Sequence, residues 1–152
     1  MWMEKIYLVL YAPTSVQRII DFLKTVYAWN NAVPVIIKPI GAAAQIGIPE
    51  AHRLAYKTGK PLIVLPEIND LREVLGLKNI YYVTDYGETR KITDIITEKA
   101  AFIINGGDQE PSKKELIDIE TIKLEEVPSN MPATSLAALI LFILSKKGFK
   151  DK

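Results

Sequence analysis

The feature that most constrains the fold of this chain is the alternation of short, largely apolar segments with segments of helical character. The first apolar segment, KIYLVLY, spans residues 5–11, and Pro13, Thr14 and Ser15 then supply a helix start. Further segments of strand length follow at residues 33–40, 61–65, 80–83, 101–104 and 119–124. Strands that are apolar on both faces and alternate with helices predict an α/β fold, a parallel sheet covered by helices on both faces.

Helices are predicted between these strands. Pro49 opens one that Gly59 closes, residues 66–75 form another, and isoleucines with helical spacing indicate a third within residues 89–99. The last helix, residues 132–147, carries an apolar run that is about half as long as a membrane span requires. We interpret it as a buried or dimer-forming helix, and we expect no membrane association.

Composition excludes several classes of site. The chain has 152 residues, the size of a single domain, and we treat residues 1–152 as one. It has no cysteine and one histidine, His52, so disulfides, thiolate chemistry and zinc clusters are excluded and no metal site is predicted. The first apolar segment contains a lysine and is too short for a signal peptide, so we expect a cytoplasmic protein. A formal charge of +1 neither favours nor excludes nucleic acid.

Four loops that follow predicted strands carry suggestive chemistry. In an open parallel sheet, ligands bind beyond the carboxyl ends of the strands. The loops are APTSVQR, TDYGE, NGGDQEPS and EEVPSNMPATS, which begin at residues 12, 84, 105 and 125. The adjacent glycines Gly106 and Gly107 allow close backbone approach to a ligand and positive φ angles. A tight turn without any ligand explains the same pair equally well, so the motif alone leaves both interpretations open.

Taken in order, the loops resemble a known family. AFIINGGDQEPSKKEL followed by MPATSLAALILFILSKKG is similar to the last third of the SpoU-like SPOUT methyltransferases, in which a glycine-containing loop precedes an apolar terminal helix. YYVTDYG resembles the family's first cofactor loop, and APTSVQRII occupies the place of its first motif. GAAAQIGIPEA and PLIVLPEINDLREVL fit its middle section. The resemblance covers residues 5–148 in order and spacing more than in identities.

This resemblance implies a trefoil knot near the carboxyl terminus, S-adenosylmethionine as cofactor, RNA as substrate, and a homodimer formed through the last helix. Arg18 matches the arginine that, in the family, helps to activate a ribose 2′-hydroxyl. The implied cofactor-binding residues are Thr84 and Gly87 in one loop, Gly106 and Gly107 in the next, and Met131, Thr134 and Ser135 in the third. The alternative to a catalytic role for Arg18 is an ordinary position on the helix surface or an ion pair with Asp21.

The first hypothesis for function is therefore S-adenosylmethionine-dependent methylation of RNA, at a ribose 2′-hydroxyl of tRNA or rRNA. The alternative is a non-catalytic knotted RNA-binding or assembly protein that has lost methyl transfer. Ala12 and Thr14 stand where the family's first motif has asparagine and glycine, which favours that alternative. A third hypothesis is an unrelated nucleotide-binding module built on a parallel sheet.

Overall fold

The computed structural model describes residues 4–150, with side chains as far as residue 146, and contains one six-stranded sheet. The strands are β1 (Ile6–Tyr11), β2 (Ala32–Ile37), β3 (Ile63–Leu65), β4 (Asn79–Arg90), β5 (Ala100–Asn105) and β6 (Glu120–Leu124). Their order is β3-β2-β1-β5-β4-β6, and every neighbouring pair is parallel. The α/β fold with a parallel sheet is therefore confirmed.

Four α-helices connect or follow the strands: α1 (Val16–Val26), α2 (Ile48–Thr58), α3 (Asp70–Glu73) and α4 (Ala133–Lys150). The Ser15 side chain begins α1 by accepting a hydrogen bond from the Arg18 backbone N–H at 3.1 Å. Gly59, with a φ of 68°, ends α2 in the left-handed conformation that favours glycine. Among the described residues, none of these helices is both long enough and apolar enough to cross a membrane.

The helix predicted within residues 89–99 is absent, so that prediction was wrong. β4 continues to Arg90, and only a 3₁₀ turn, Ile92–Asp94, precedes β5. Ile92 and Ile95 are buried, because the turn inserts both side chains beneath α4 instead of presenting a helical face. The helix predicted at residues 66–75 is likewise reduced to the single turn of α3.

The two faces of the sheet are covered unequally. Successive residues of a strand point to opposite faces, so Leu8 and Leu10 of β1 pack with α1, α2 and α4, whereas Val9 packs on the other side. That second side is covered by α3 and by residues 106–119, which contribute few helical turns. The prediction of helices on both faces therefore holds mainly for one of them.

β4 is interrupted where it passes β6. Val83 and Glu88 both pair with Ile122, so residues 84–87 leave the ladder and form a bulge. A Cβ on Gly87 would lie 2.6 Å from the Ile122 backbone nitrogen, so only glycine allows the end of the bulge to return this closely to β6. The bulge follows Val83, at the carboxyl end of the first part of β4, and it forms one wall of a cleft.

Candidate functional site

A cleft of about 290 Å³ lies where β4, β5 and β6 end, close to the lower limit of small-molecule sites. Its walls come from the β4 bulge, the end of β5, the segment after β5, the end of β6, and the loop that leads into α4. The lining residues are Tyr82, Val83, Thr84, Asp85, Tyr86, Ile104, Asn105, Glu110, Lys123, Leu124, Val127, Pro128, Met131, Ala133 and Leu136. The cleft therefore occupies the position expected for a ligand site in a parallel sheet.

One side of the cleft carries an acidic group held by the loop opposite. Asp85 accepts a hydrogen bond from the Asn130 backbone N–H at 2.8 Å and lies 3.9 Å from the Lys123 ammonium. Lys123 also donates to the Ser129 hydroxyl at 3.0 Å. Asn130 has a φ of 61°, a left-handed conformation that asparagine tolerates better than most residues. These contacts join the β4 bulge to the loop before α4.

Glu110 joins the other side of the cleft to β4. Its carboxylate accepts a hydrogen bond from the Tyr82 hydroxyl at 2.9 Å and another from the Tyr86 hydroxyl. Burial raises the pKa of Tyr82, and the nearby Glu110 carboxylate raises it further. Tyr82 therefore remains a neutral hydrogen-bond donor at physiological pH, and it fixes the position of Glu110 beside the cleft.

Gly106 and Gly107 lie against their own chain. A Cβ on Gly106 would lie 2.8 Å from the Leu10 side chain, and one on Gly107 would lie 2.4 Å from the Ala12 carbonyl oxygen. The Gly106 N–H donates to the Tyr11 carbonyl at 2.7 Å. Neither glycine has a positive φ, so the turn does not use the conformational freedom that the glycine pair allows. Their lack of side chains allows the turn to approach the end of β1.

Arg18 lies beside this glycine turn and does not pair with Asp21. Its Nη1 donates to the Gly106 carbonyl at 2.7 Å, while Gln17 donates to the Asp21 carboxylate at 2.9 Å. The N-terminal position of Arg18 in α1 brings the guanidinium to the end of β5. The next residue back along the chain, Asn105, lines the cleft. Arg18 is exposed and is not part of the cleft lining itself.

The predicted cofactor-binding residues are placed in two groups. Thr84 and Met131 line the cleft. The other five predicted residues are not among the lining residues: Gly87, Gly106, Gly107, Thr134 and Ser135. Asp85, Glu110 and Lys123 line it without having been predicted as site residues. The only sequence feature that could have identified these three residues as site residues is their position near the ends of strands. Charged residues in loops are usually solvated, and these three do not belong to a recognisable motif.

A second polar cluster lies at the ends of β1 and β2. Glu115 accepts from the Tyr11 hydroxyl at 2.8 and 2.9 Å and from the Lys38 ammonium at 3.2 Å. Burial raises the pKa of Glu115, but hydrogen bonds from the Ser112 backbone, Tyr11 and Lys38 outweigh it and leave the pKa below its ordinary value. The cluster attaches residues 112–119 to the sheet.

The described side chains do not include a group of three His, Cys, Asp or Glu residues arranged to hold a metal ion. The two cleft carboxylates, Asp85 and Glu110, are already engaged by their own chain.

Comparison with solved structures identifies the fold. The structure reported as "Structural insights into the 2-OH methylation of C/U34 on tRNA" superposes with a TM-score of 0.71 at 14% identity, covering 97% of this chain and 98% of that one. The SpoU methyltransferase AviRb from Streptomyces viridochromogenes, in complex with the cofactor AdoMet, superposes with a TM-score of 0.72 at 12% identity. That match covers 99% of this chain and 63% of AviRb, so this chain spans less than two thirds of AviRb. The predicted SPOUT resemblance is confirmed for the fold.

Sequence relatives carry a different description. "Putative type II restriction enzyme ApeKORF2002P" from Aeropyrum pernix is 33% identical over 144 residues, covering 92% of each chain. "Putative type II restriction enzyme MjaORF1200P" from Methanocaldococcus jannaschii is 31% identical over 81 residues, covering 53% of this chain and 56% of the relative. A family model described as "RecB-family nuclease (DUF2122)" matches residues 41–143. By this match and by the identity to the Aeropyrum protein, the chain belongs to the DUF2122 family.

Proposed function

We propose that this protein is an S-adenosylmethionine-dependent RNA methyltransferase that modifies a ribose 2′-hydroxyl of tRNA or rRNA. The observation that carries the proposal is the cleft at the carboxyl ends of β4 and β6, in a fold shared with RNA methyltransferases. A parallel sheet binds ligands at this edge. The proposal gives the fold likeness greater weight than the family's description, because that likeness covers 97% of this chain and 98% of the chain it superposes on.

The chemistry of the cleft suits S-adenosylmethionine. Leu124, Val127 and Met131 offer an apolar surface for an adenine ring, and Thr84 offers a hydroxyl. The Asp85 carboxylate would favour a positively charged group, and the Lys123 ammonium would favour a carboxylate. When bound, the cofactor supplies a methyl group on a positively charged sulfur. The residues of this chain would hold it, exclude water and orient the acceptor.

Arg18 would act on the acceptor. Its hydrogen bond to the Gly106 carbonyl holds the guanidinium at the turn that follows Asn105, a residue of the cleft wall. A fixed positive charge there would stabilise the oxygen as it loses its proton, since charge developing in the transition state is stabilised by prepositioned groups. The remaining guanidinium N–H groups are available for that contact, because Arg18 is exposed.

The proposal includes two features of assembly. The first is a trefoil knot, which the resemblance implies and which the fold likeness to a SpoU methyltransferase supports. The second is a two-fold dimer through α4, supported by Phe142, which is 50% exposed on this apolar helix. Sedimentation should give about twice the chain mass of 17.1 kDa. A single 17.1 kDa species at micromolar concentration would remove the dimer from the proposal.

Two other functions remain as outcomes of the tests. A knotted RNA-binding protein without methyl transfer is favoured by Ala12 and Thr14, which replace the asparagine and glycine of the family's first motif. A nuclease is favoured by the names of the sequence relatives and of the family. Cleavage of DNA or RNA that requires added Mg²⁺, and that is lost on Asp85→Ala, would establish the nuclease and overturn the methyltransferase.

The first experiment is calorimetric titration with S-adenosylmethionine and with its demethylated product. We expect heat for the unmutated protein and none for Thr84→Trp, whose indole fills the cleft. Thr89→Trp is the matched control, because Thr89 is an exposed residue of β4 outside the cleft, and it should bind normally. Absence of heat for the unmutated protein with both ligands at millimolar concentration would end the methyltransferase proposal.

Transfer itself is tested with radiolabelled S-adenosylmethionine and unmodified tRNA and rRNA transcripts. Arg18→Ala should leave cofactor binding unchanged and reduce transfer by about 10²-fold, the usual effect of losing one group that stabilises developing charge. Arg18→Lys should restore part of the rate, since it keeps the charge but loses the planar fork. Equal transfer by all three proteins would show that Arg18 has no part in the reaction.

A further inference from the structure

The outward face of α2 carries an unusually exposed aromatic side chain. Tyr56 is 91% exposed, which is more than any other large apolar or aromatic residue in the part of the chain that the structure describes. His52, Arg53 and Lys57 are also exposed on the same helix. Residues three and four apart share one face of a helix, so His52 and Arg53 lie beside Tyr56. Ala51 and Ala55 form the opposite, buried face.

The charge of this face is positive. Arg53 and Lys57 contribute two cations, and the nearest carboxylate on the helix, Glu50, pairs with Arg53. Both partners of that pair are exposed, by 69% and 43% of their side chains, so water screens the pair and it holds Arg53 only weakly. Arg53 and Lys57 can therefore contact an anion.

The position of α2 relates this face to Arg18. A Cβ on Gly47, directly before α2, would lie 2.9 Å from Ile19 Cδ1 and 3.6 Å from Val16 Cα. The beginning of α2 therefore packs against the first turn of α1, which also carries Arg18. From Ile48 to Tyr56 the helix rises by about 12 Å. Tyr56 therefore lies about 12 Å of helix beyond the contact between α2 and the turn that carries Arg18.

We propose that the face formed by His52, Arg53, Tyr56 and Lys57 binds single-stranded RNA on one side of the acceptor nucleotide, with a base stacked on the Tyr56 ring. An exposed aromatic ring between cations is the arrangement that single-strand-binding proteins use, because every base has a face to stack and every linkage has a charge. The inference rests on the proposed RNA substrate but not on methyl transfer.

The test is fluorescence anisotropy with a short labelled single-stranded RNA at several salt concentrations. Tyr56→Ala should weaken binding about tenfold, and Tyr56→Phe should bind nearly as well as the unmutated protein, because stacking needs the ring and not the hydroxyl. Lys57→Gln should lower the slope of log affinity against log salt by about 0.7, the value of one contact to single-stranded phosphate. Lys91→Gln, an exposed lysine next to β4, is the matched charge control and should change neither quantity.

The outcomes separate this inference from the proposed function. Three results would each overturn the single-strand site. The first is that Tyr56→Ala binds RNA as tightly as the unmutated protein, and the second is that the unmutated protein does not bind RNA at low salt. The third is that Tyr56→Ala weakens binding to a duplex of the same sequence as much as it weakens binding to the single strand. The calorimetric titration with S-adenosylmethionine should give the same result for Tyr56→Ala and the unmutated protein. If the unmutated protein gives no heat with S-adenosylmethionine, the proposed function is contradicted. The RNA-binding measurement then tests the single-strand site independently.

Discussion

The carboxyl edge of the sheet has two halves that use their loops in opposite ways. In the half formed by β1 and β5, Gly106 and Gly107 bring the turn against Leu10 and Ala12, so the chain fills its own space. In the half formed by β4 and β6, the bulge at residues 84–87 diverges from the sheet and leaves a cleft. Glycines after a strand therefore indicate close approach, but what approaches can be the protein itself.

The polar groups of the two halves differ in the same sense. Glu115 in the packed half receives hydrogen bonds from Tyr11 and Lys38 and attaches a segment of chain to the sheet. Asp85 and Glu110 in the open half also have partners, but both remain on the surface of the cleft. The carboxylates at this edge of the sheet therefore have two roles. Glu115 attaches a segment of the chain to the sheet, whereas Asp85 and Glu110 are accessible to a ligand in the cleft.

The largest effect should come from adding one methyl group to the packed half. Gly107→Ala places a Cβ 2.4 Å from the Ala12 carbonyl oxygen, so we expect a loss of about 3 kcal/mol and a melting temperature lower by roughly 6–12 °C. The matched control is Gly76→Ala, where no atom lies within 4 Å and only the φ of +68° opposes the substitution, at a cost of about 1 kcal/mol. Equal losses in thermal unfolding would contradict the close packing.

A smaller effect is expected from the cluster that closes the packed half. Glu115→Gln should cost about 1–2 kcal/mol at neutral pH, because it weakens hydrogen bonds that a charged acceptor strengthens. The pKa of Glu115 is lowered in the folded protein, so its stabilisation is complete above the ordinary value of 4.5 and is lost as pH falls through the lowered value. Denaturant unfolding from pH 7 downward should show the two proteins converging. A constant difference would exclude titration of Glu115 as the cause.

The smallest effect is expected in the open half. Glu110→Gln should change stability at neutral pH by less than about 0.5 kcal/mol, because Glu110 is exposed and glutamine still accepts a hydrogen bond. It should lower the pKa of Tyr82, while burial keeps that pKa above the ordinary value of 10.0. Because the folded pKa is raised, the stabilisation by neutral Tyr82 is present below pH 10.0 and is lost as pH rises through the folded value. Tyrosinate absorbance during alkaline titration measures this shift, and an unchanged titration would show that Glu110 does not act on Tyr82.

The sequence predicts the sheet well and its irregular parts poorly. Six strands and their parallel pairing follow from apolar segments that alternate with helices, and this pattern is local. The extension of β4 to Arg90 is not local, because TDYGETR is polar and becomes a strand only through its pairing with β6. The isoleucines at 92 and 95 mimic helical spacing, although a turn buries both.

The candidate site divides in the same way. The order of the loops predicted that Thr84 and Met131 belong to the site region, since each follows a strand or precedes the last helix. The partner of Arg18 could not be predicted, because the Gly106 carbonyl is a backbone group 88 residues away in sequence. Ala12 has a φ of 50°, a left-handed conformation for which alanine has no preference. The residue type at this position therefore does not predict the conformation.

The central place of β1 in the sheet determines how the protein must be made. Ile6 pairs with Ala32 on one side but with Ala100 on the other, so the second neighbour of β1 is synthesised long after the first. At ribosomal rates of about 5–20 residues per second, a partial sheet of β3, β2 and β1 waits for roughly 2–8 s before β5 has been synthesised. During that time β1 presents a bare apolar edge, which is a template for pairing with other chains. In the finished molecule β5 covers this edge of β1, so the aggregation risk that the edge carries is confined to synthesis.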